Sequence, residues 1–426
     1  MAIASNMTPE EKHFLAGKRI IVAGAGMAGL AFVTGLRRQW NPALQPPEIV
    51  IYERDTQETS VSREGFSLSL AGYDETGGLY ALKQLGLLDE VLPHVLLGLE
   101  GTGSFKVWGR DFGEQMSVRY KPARGLPSAG IRIARKNLRK VLLDAVEATD
   151  NITWGSACVE AQKLASGRVK VKLARGEHDS KADDEDECDL LVVADGASSK
   201  LRACLRPDDT LRYAGAVQLG GSAKFEDKIP HPLDDNWGML LSGRGVACFL
   251  SPIDHHSVVW ALSRLEAQER RRINPNDPET AEKVIQEGLD LGHMFGEPFQ
   301  TIVKATDPAT VFSMPARDKQ PFYHDVSDLG PIVFIGDSNH AVSPFAGYGA
   351  SLAMKDGWDL AEQIRAASDV ERAVTSYDAI SVPRAIKVIK ESHWRIEMAH
   401  STGIKGMVFR CFIAFGGFLL WLTGRA

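Results

Sequence analysis

The fold is decided at Lys18-Arg19-Ile20-Ile21-Val22-Ala23-Gly24-Ala25-Gly26-Met27-Ala28-Gly29. The first six residues form a short β-branched apolar run, as expected of a parallel strand buried on both faces. Three glycines at the spacing G-x-G-x-x-G follow. Gly24 permits a tight turn, Gly26 lets a pyrophosphate reach the backbone, and Gly29 lets a helix pack close to the strand. Met27 and Ala28 open that helix, whose free N–H groups and positive dipole end suit phosphate. Leu30, Phe32, Val33 and Leu36 fall on one side of it. After the loop Asn41–Pro47, the run Glu48-Ile49-Val50-Ile51-Tyr52-Glu53 reads as a second strand. Right-handed crossover makes the two strands parallel neighbours. Glu53, with Arg54 beside it, ends the second strand, where a carboxylate can accept hydrogen bonds from ribose hydroxyls. A nucleotide site is the expectation.

Toward the other end, Pro331–Ile335 is again a buried-type strand, followed by Gly336-Asp337-Ser338-Asn339-His340 and then Pro344-Phe345-Ala346-Gly347-Tyr348-Gly349-Ala350. Asp337 at a strand end can hydrogen-bond a ribityl hydroxyl. Pro344, Gly347, Gly349 and Ala350 shape a loop that lets backbone approach a ligand, at the start of a helix over 350–364 whose dipole can stabilise a reduced flavin. This second constellation points to FAD rather than NAD as the bound dinucleotide.

Between the two ends, Arg135–Val146 has helical spacing, Val169, Val171 and Leu173 alternate with basic residues, and Leu190–Ala194 is another apolar strand. The acidic run 183–187 is expected as a solvated hairpin tip. After Arg206 come short β-rich runs such as Val246–Leu250 and Ser257–Leu262, an antiparallel sheet module. The expected organisation is a cofactor-binding unit over 1–206 completed by 321–365, an inserted substrate sheet over 207–320, and a helical segment over 366–426. The composition is that of an ordinary globular protein, with 44% hydrophobic and 24% charged residues. A net charge of −6 without a basic stripe argues against nucleic acid. Five scattered cysteines without ligand spacing read as reduced thiols of a cytoplasmic protein, with no disulfides and no metal. The N-terminus lacks the apolar region of a signal peptide. Met407–Leu422 is apolar except for Arg410. A helix buried across both domains is favoured there over membrane contact, because the run is short for a span and Arg410 is costly at bilayer depth.

At these residues the chain resembles the para-hydroxybenzoate-hydroxylase-type (class A) FAD monooxygenases. Three signatures carry the resemblance: GAGMAG with Glu53, LLVVADGASSKLR over 190–202, and GDSNHAVSPFAGYGASLAMKD from Gly336. Within that family the pattern is nearest to the tetracycline-inactivating monooxygenase. The resemblance implies an α/β, Rossmann-like FAD-binding domain with an inserted antiparallel substrate sheet and C-terminal helices. It implies that Asp195 contacts the flavin and helps with the nicotinamide, that Arg135 of the R-x-x-L-x-x-x-L helix reaches the FAD, and that Gly65 of Arg63-Glu64-Gly65-Phe66 lies near the flavin ring. It also implies FAD as cofactor and NADPH or NADH as co-substrate, and one atom of O2 entering a small aromatic, polyketide or other secondary-metabolite-like molecule. The oligomeric state stays open, with a monomer favoured. Gly220 stands where salicylate-hydroxylase relatives carry arginine, Ser338-Asn339 replaces Ala-Ala, and Tyr348 replaces Gln. No halogenase W-x-W-x-I-P signature occurs. An FAD dehydrogenase or oxidase and a flavin-free prenyl-protein-escort module are the competing readings.

Overall fold

The computed structural model describes residues 13–62, 66–99, 102–118, 120–175, 184–271, 273 and 277–422. Its centre is a five-stranded parallel sheet in the order Ile332–Phe334, Leu190–Val193, Arg19–Ala23, Glu48–Tyr52, Asn151–Thr153. Ile20–Val22, Leu190–Val193 and Ile332–Phe334 are buried on both faces, which is why they read as unbroken apolar runs. The helices Met27–Gln39 and Gly349–Ala366 cover one face and cross so closely that a Cβ on Gly357 would sit 2.5 Å from the Phe32 nitrogen. Only glycine permits that contact.

On the other face lies a three-stranded layer of Ser156–Lys163, Val169–Arg175 and Asp184–Cys188. This corrects the reading of the acidic run: residues 184–187 are strand, not hairpin tip, and Asp183 lies outside the described residues. The strand holds because its charges meet opposite charges. Lys170 faces Glu187 and Lys172 faces Glu185 in register, Arg168 pairs with Glu187, and Asp186 accepts from Arg19 and the Tyr52 hydroxyl at 2.7 Å.

The second large layer is a seven-stranded sheet: Phe312–Asp318, Arg212–Lys224, Ser257–Leu265, Val246–Pro252, Trp237–Leu241, Phe105–Trp108, Glu114–Val118. Its last two strands precede residue 206, where the expectation had confined the sheet to 207–320. Phe105–Trp108 pairs parallel with Trp237–Leu241 and extends what would otherwise be an exposed edge. A small sheet of Ser67–Ala71, Gly130–Ala134 and Val95–Leu97 lies between the two large layers.

Two helices close the chain, Val370–Ala399, capped by Asp369, and Gly403–Leu422. The closing helix packs Phe409 and Ile413 against Val107, Leu241 and Ala247, but Ile404, Met407, Val408, Phe412 and Phe415 are exposed. Full burial across both domains is thereby corrected. The helix meets the seven-stranded sheet near its outer strand Glu114–Val118, and nothing among the described residues covers its other side. No helix of the described residues is long and apolar enough to cross a membrane.

Candidate active site

Gly24 has φ +108°, and a Cβ there would lie 2.5 Å from the Ala194 carbonyl oxygen. The glycine turn is therefore pressed against the strand that leads into Asp195. Gly29 is held equally close, 2.2 Å from the Gly24 oxygen by the same measure. Gly26 caps the helix without a side-chain hydrogen bond, leaving the first N–H groups for a ligand. Glu53 is buried, and its carboxylate accepts from the Ala25 N–H at 2.8 Å and the Asp55 N–H at 3.0 Å. It thus fixes the turn itself and keeps lone pairs for a ribose. Arg54 is largely exposed and pairs with Asp55 at 3.7 Å.

Asp195 accepts from the Lys200 N–H at 3.0 Å through one oxygen, while the other is buried with no partner among the described residues. Burial raises its pKa, against the hydroxyl of Ser199. Asp337 opens a helical turn after Gly336, whose Cβ would meet that of Ala28 at 3.0 Å. Burial also raises the pKa of Asp337, opposed by His340 and Arg135. Arg202 ties the two acidic loops together: it donates to the Ser338 carbonyl at 2.8 Å and to the Ala197 carbonyl at 2.5 Å. Pro344–Ala346 forms one turn, Gly347 is left-handed, and Gly349 and Ala350 begin an 18-residue helix whose N-cap, Tyr348, supplies no side-chain hydrogen bond.

Arg135 starts its helix exposed, and its N–H donates to the Phe66 carbonyl at 3.3 Å. Gly65, with Arg63 and Glu64, lies outside the described residues. The turn of Gly24–Gly29, Glu53, Asp195 and Asp337 are thus gathered at the C-terminal ends of the parallel strands, where open α/β sheets bind ligands. Two uncapped helix N-termini, a buried carboxylate oxygen at Asp195 without a partner among the described residues, and a glycine turn with no room for side chains at Gly24 and Gly29 but room at Gly26 fit a pyrophosphate-linked dinucleotide.

Behind the cradle lies a buried charge network. Asp356 accepts from the Gly336 N–H at 2.9 Å, His340 Nε2 at 2.5 Å, the Ser381 hydroxyl at 3.0 Å and Arg384 at 2.8 Å. Arg384 also donates to Asp359 at 2.6 Å. Burial works against the charges, but His340 and Arg384 pull Asp356 well below the usual carboxylate range. Burial lowers the His340 pKa as well, yet Asp356 outweighs it and the net shift is upward. His340 and Asp356 lie in the signature that runs from Gly336, but nothing in the sequence ties Arg384 to them.

The seven-stranded sheet has two distinct faces. One face packs Trp260, Leu262 and Leu250 on the helices Pro278–Leu291 and Phe299–Lys304. Alternation sends Met239, Phe249, Ser251, Ala261, Ser263 and Phe312 to the opposite face. That face meets the small sheet: the Phe66 and Phe312 rings lie 5.1 Å apart, and the Ser67 hydroxyl donates to the Pro252 carbonyl at 2.7 Å. Arg132 of the small sheet sits over the Phe249 ring at 5.5 Å and donates to the Ser69 hydroxyl at 2.7 Å. No ion pair with a carboxylate is found for it among the described residues, and burial lowers its pKa to about 9. His400 meets the Ser263 hydroxyl of this face at 2.8 Å and the Phe345 ring at 5.7 Å. Gly220 lies on this same face, with Trp260 O 2.0 Å and Phe312 Cζ 2.8 Å from a would-be Cβ, so an arginine has no room there. Trp260 is core, its indole donating to Thr306 at 2.8 Å, and His255, His256 and Arg244 sit in turns.

The profile of the FAD binding domain family matches residues 19–392. The chain belongs to that family. Over 393 residues this flavoprotein is 43% identical to the monooxygenase cfoF of Aspergillus candidus, covering 92% of this chain and 93% of the relative. It is 25% identical to the FAD-dependent urate hydroxylase of Klebsiella pneumoniae over 391 residues, 90% of each chain. Two solved structures share the fold. Klebsiella pneumoniae HpxO complexed with FAD and uric acid superposes with a TM-score of 0.75 at 20% identity over 97% of each chain. Tetracycline destructase Tet(55) gives a TM-score of 0.68 at 16% identity, covering 96% of this chain and 97% of that one. The flavoprotein is an FAD-dependent monooxygenase.

Proposed function

We propose that a chamber between the cradle and the face of the seven-stranded sheet turned to the small sheet holds a flat, largely apolar aromatic or polyketide-like substrate against the flavin, and that the cradle residues hold the FAD. The observation that carries the substrate reading is that face of the seven-stranded sheet, where Phe249, Phe312 and Met314 are half-buried. Such a lining excludes water and positions a flat molecule by contact rather than by many hydrogen bonds. Arg132, a cation with no carboxylate against it among the described residues, favours an electron-rich or anionic oxygen on the substrate. The absence of room at Gly220 means that an arginine on the neighbouring strand does not do this work.

In this reading Glu53 binds the ribose, Asp337 a ribityl hydroxyl, and the N-termini of the helices Met27–Gln39 and Gly349–Ala366 the pyrophosphate and the reduced ring. Asp195, Arg135, Pro344, Gly347 and Ala350 complete the contacts, and Gly65 is assigned with them on the sequence alone. The bound flavin supplies the redox chemistry and the activation of O2. The protein's own residues bind, orient and keep water out. The chain acts as a monomer.

The test uses the purified yellow protein. NAD(P)H oxidation is measured against a panel of aromatic polyketides under ¹⁸O2, with products examined by mass spectrometry. Substrate-stimulated oxidation with one labelled oxygen in the product is expected. Label from water only, or turnover under argon with an artificial acceptor, would overturn the reading.

A further inference from the structure

The closing helix Gly403–Leu422 carries a second surface that the chamber does not use. Ile404, Met407, Val408, Phe412 and Phe415 are 53 to 78% exposed. At about 100° per residue they fall within one arc of the helix, opposite the packed positions Phe409, Ile413 and Gly417. The same period puts positions 405 and 410 on the two flanks of that arc, and both are basic residues, Lys405 and Arg410. Trp394 of the preceding helix is 51% exposed and meets the Phe409 ring at 6.0 Å, so the apolar surface continues across both helices.

Charge separates the possible occupants. From Lys387 to the end, the sequence holds six basic residues (Lys387, Lys390, Arg395, Lys405, Arg410, Arg425) and two acidic ones (Glu391, Glu397), a balance of 6 − 2 = +4. The whole chain is −6, so everything before Lys387 carries −6 − 4 = −10. From Gly403 onward there is no acidic residue at all. One end of a strongly acidic protein is thus basic, and the basic end bears the exposed apolar face. Lys405 spends part of its charge on Glu397, but the balance stays positive.

We propose that this face docks the enzyme on an anionic lipid bilayer, with the closing helix lying in the plane of the interface. Apolar side chains enter the acyl boundary while the flanking cations meet the headgroups. The packed side of the helix is Ile413 against Val107, Leu241 and Ala247, the apolar cluster that includes Met239 at the chamber wall. Docking therefore sets the chamber beside the bilayer, where an apolar substrate of the proposed class dissolves. A second copy of the chain fits less well, since two faces flanked by cations repel each other.

The FAD-loaded full-length enzyme is mixed with vesicles of phosphatidylcholine alone or with about a third phosphatidylserine and recovered by flotation. Flotation with the phosphatidylserine vesicles, weakened by salt, is expected. Phe412→Ser/Phe415→Ser lowers the bound fraction by at least about ten-fold at unchanged flavin content. Val408→Thr, a milder change on the same arc, lowers it less and covers the case in which the double variant aggregates. A wild-type enzyme that stays in the soluble fraction with both vesicles overturns the proposal. So does a wild-type dimer in sedimentation equilibrium that fails to float and that Phe412→Ser/Phe415→Ser converts to monomer. The proposed substrate class is tested separately by the labelled-oxygen panel, which needs no vesicles.

Discussion

Removing the Asp356 carboxylate should unfold the protein more readily than any loss of a surface ion pair. Asp356→Ala leaves Arg384 and His340 buried beside an empty place, with Asp359 as the remaining carboxylate for the guanidinium. Breaking a buried pair by deleting one partner costs about 3–5 kcal/mol, a large part of a total stability of roughly 5–15 kcal/mol. At about 2 °C per kcal/mol, the low end suited to a long chain, the melting temperature drops by about 6–10 °C. The loss has a second face, because the same carboxylate holds the Gly336 N–H immediately before Asp337. FAD should therefore dissociate earlier in the melt, and flavin fluorescence should rise ahead of the intrinsic tryptophan signal. Asp356→Asn keeps the shape and one acceptor but not the charge, so it should fall between wild type and alanine. The assay is thermal unfolding followed by both signals. If Asp356→Ala melts within about 1 °C of wild type, or if asparagine and alanine behave alike with flavin retained, the network does not hold the turn.

Glu53→Ala should weaken FAD binding by about ten- to a hundred-fold, from the loss of hydrogen bonds to a charged acceptor at about 1.5–3 kcal/mol, and Asp337→Ala by a similar factor; equilibrium dialysis measures both. The His340 pKa in the fold lies above its ordinary 6.5. Its pairing with Asp356 is therefore at full strength below about 6.5 and is lost as pH rises through the folded value, so urea midpoints should decline across that range in wild type and not in His340→Gln. Two thiols, Cys204 and Cys411, are exposed, whereas burial pushes those of Cys158, Cys188 and Cys248 up. Native protein should react with a thiol reagent at two positions rapidly and at five only after unfolding.

Much of the cofactor half was legible because its signals are local. Ile20–Val22 and Leu190–Val193 are continuous apolar runs, and the glycine turn between strand and helix has a fixed spacing that phosphate binding demands. The seven-stranded sheet was legible only after Arg206. Phe105–Trp108 joins it by parallel pairing with Trp237–Leu241, and no property of either segment announces a partner so far along the chain. Residues 184–187 misled because acidic runs are usually solvated. Their partners Lys170, Arg19 and Tyr52 lie on separate strands, and only the three-dimensional register supplies the compensating charge. The network of His340, Asp356 and Arg384 was hidden for the same reason: each residue alone reads as a helix surface charge. The closing helix was read from hydrophobicity, which measures how much apolar surface a segment has and not whether the rest of the chain reaches around to cover it.

The order of strands in the parallel sheet has a consequence for biosynthesis. Arg19–Ala23 leaves the ribosome among the first described residues, yet its neighbour Leu190–Val193 is itself flanked by Ile332–Phe334, and the helix that packs on Met27–Gln39 ends only at Ala366. At roughly 5–20 residues per second, the glycine turn waits about 20 seconds or more for the rest of its cradle to be translated. During that interval Leu30, Phe32 and Val33 have no partner helix from the far end, and a nascent chain stalled before Ala366 should neither retain flavin nor escape the attention of chaperones.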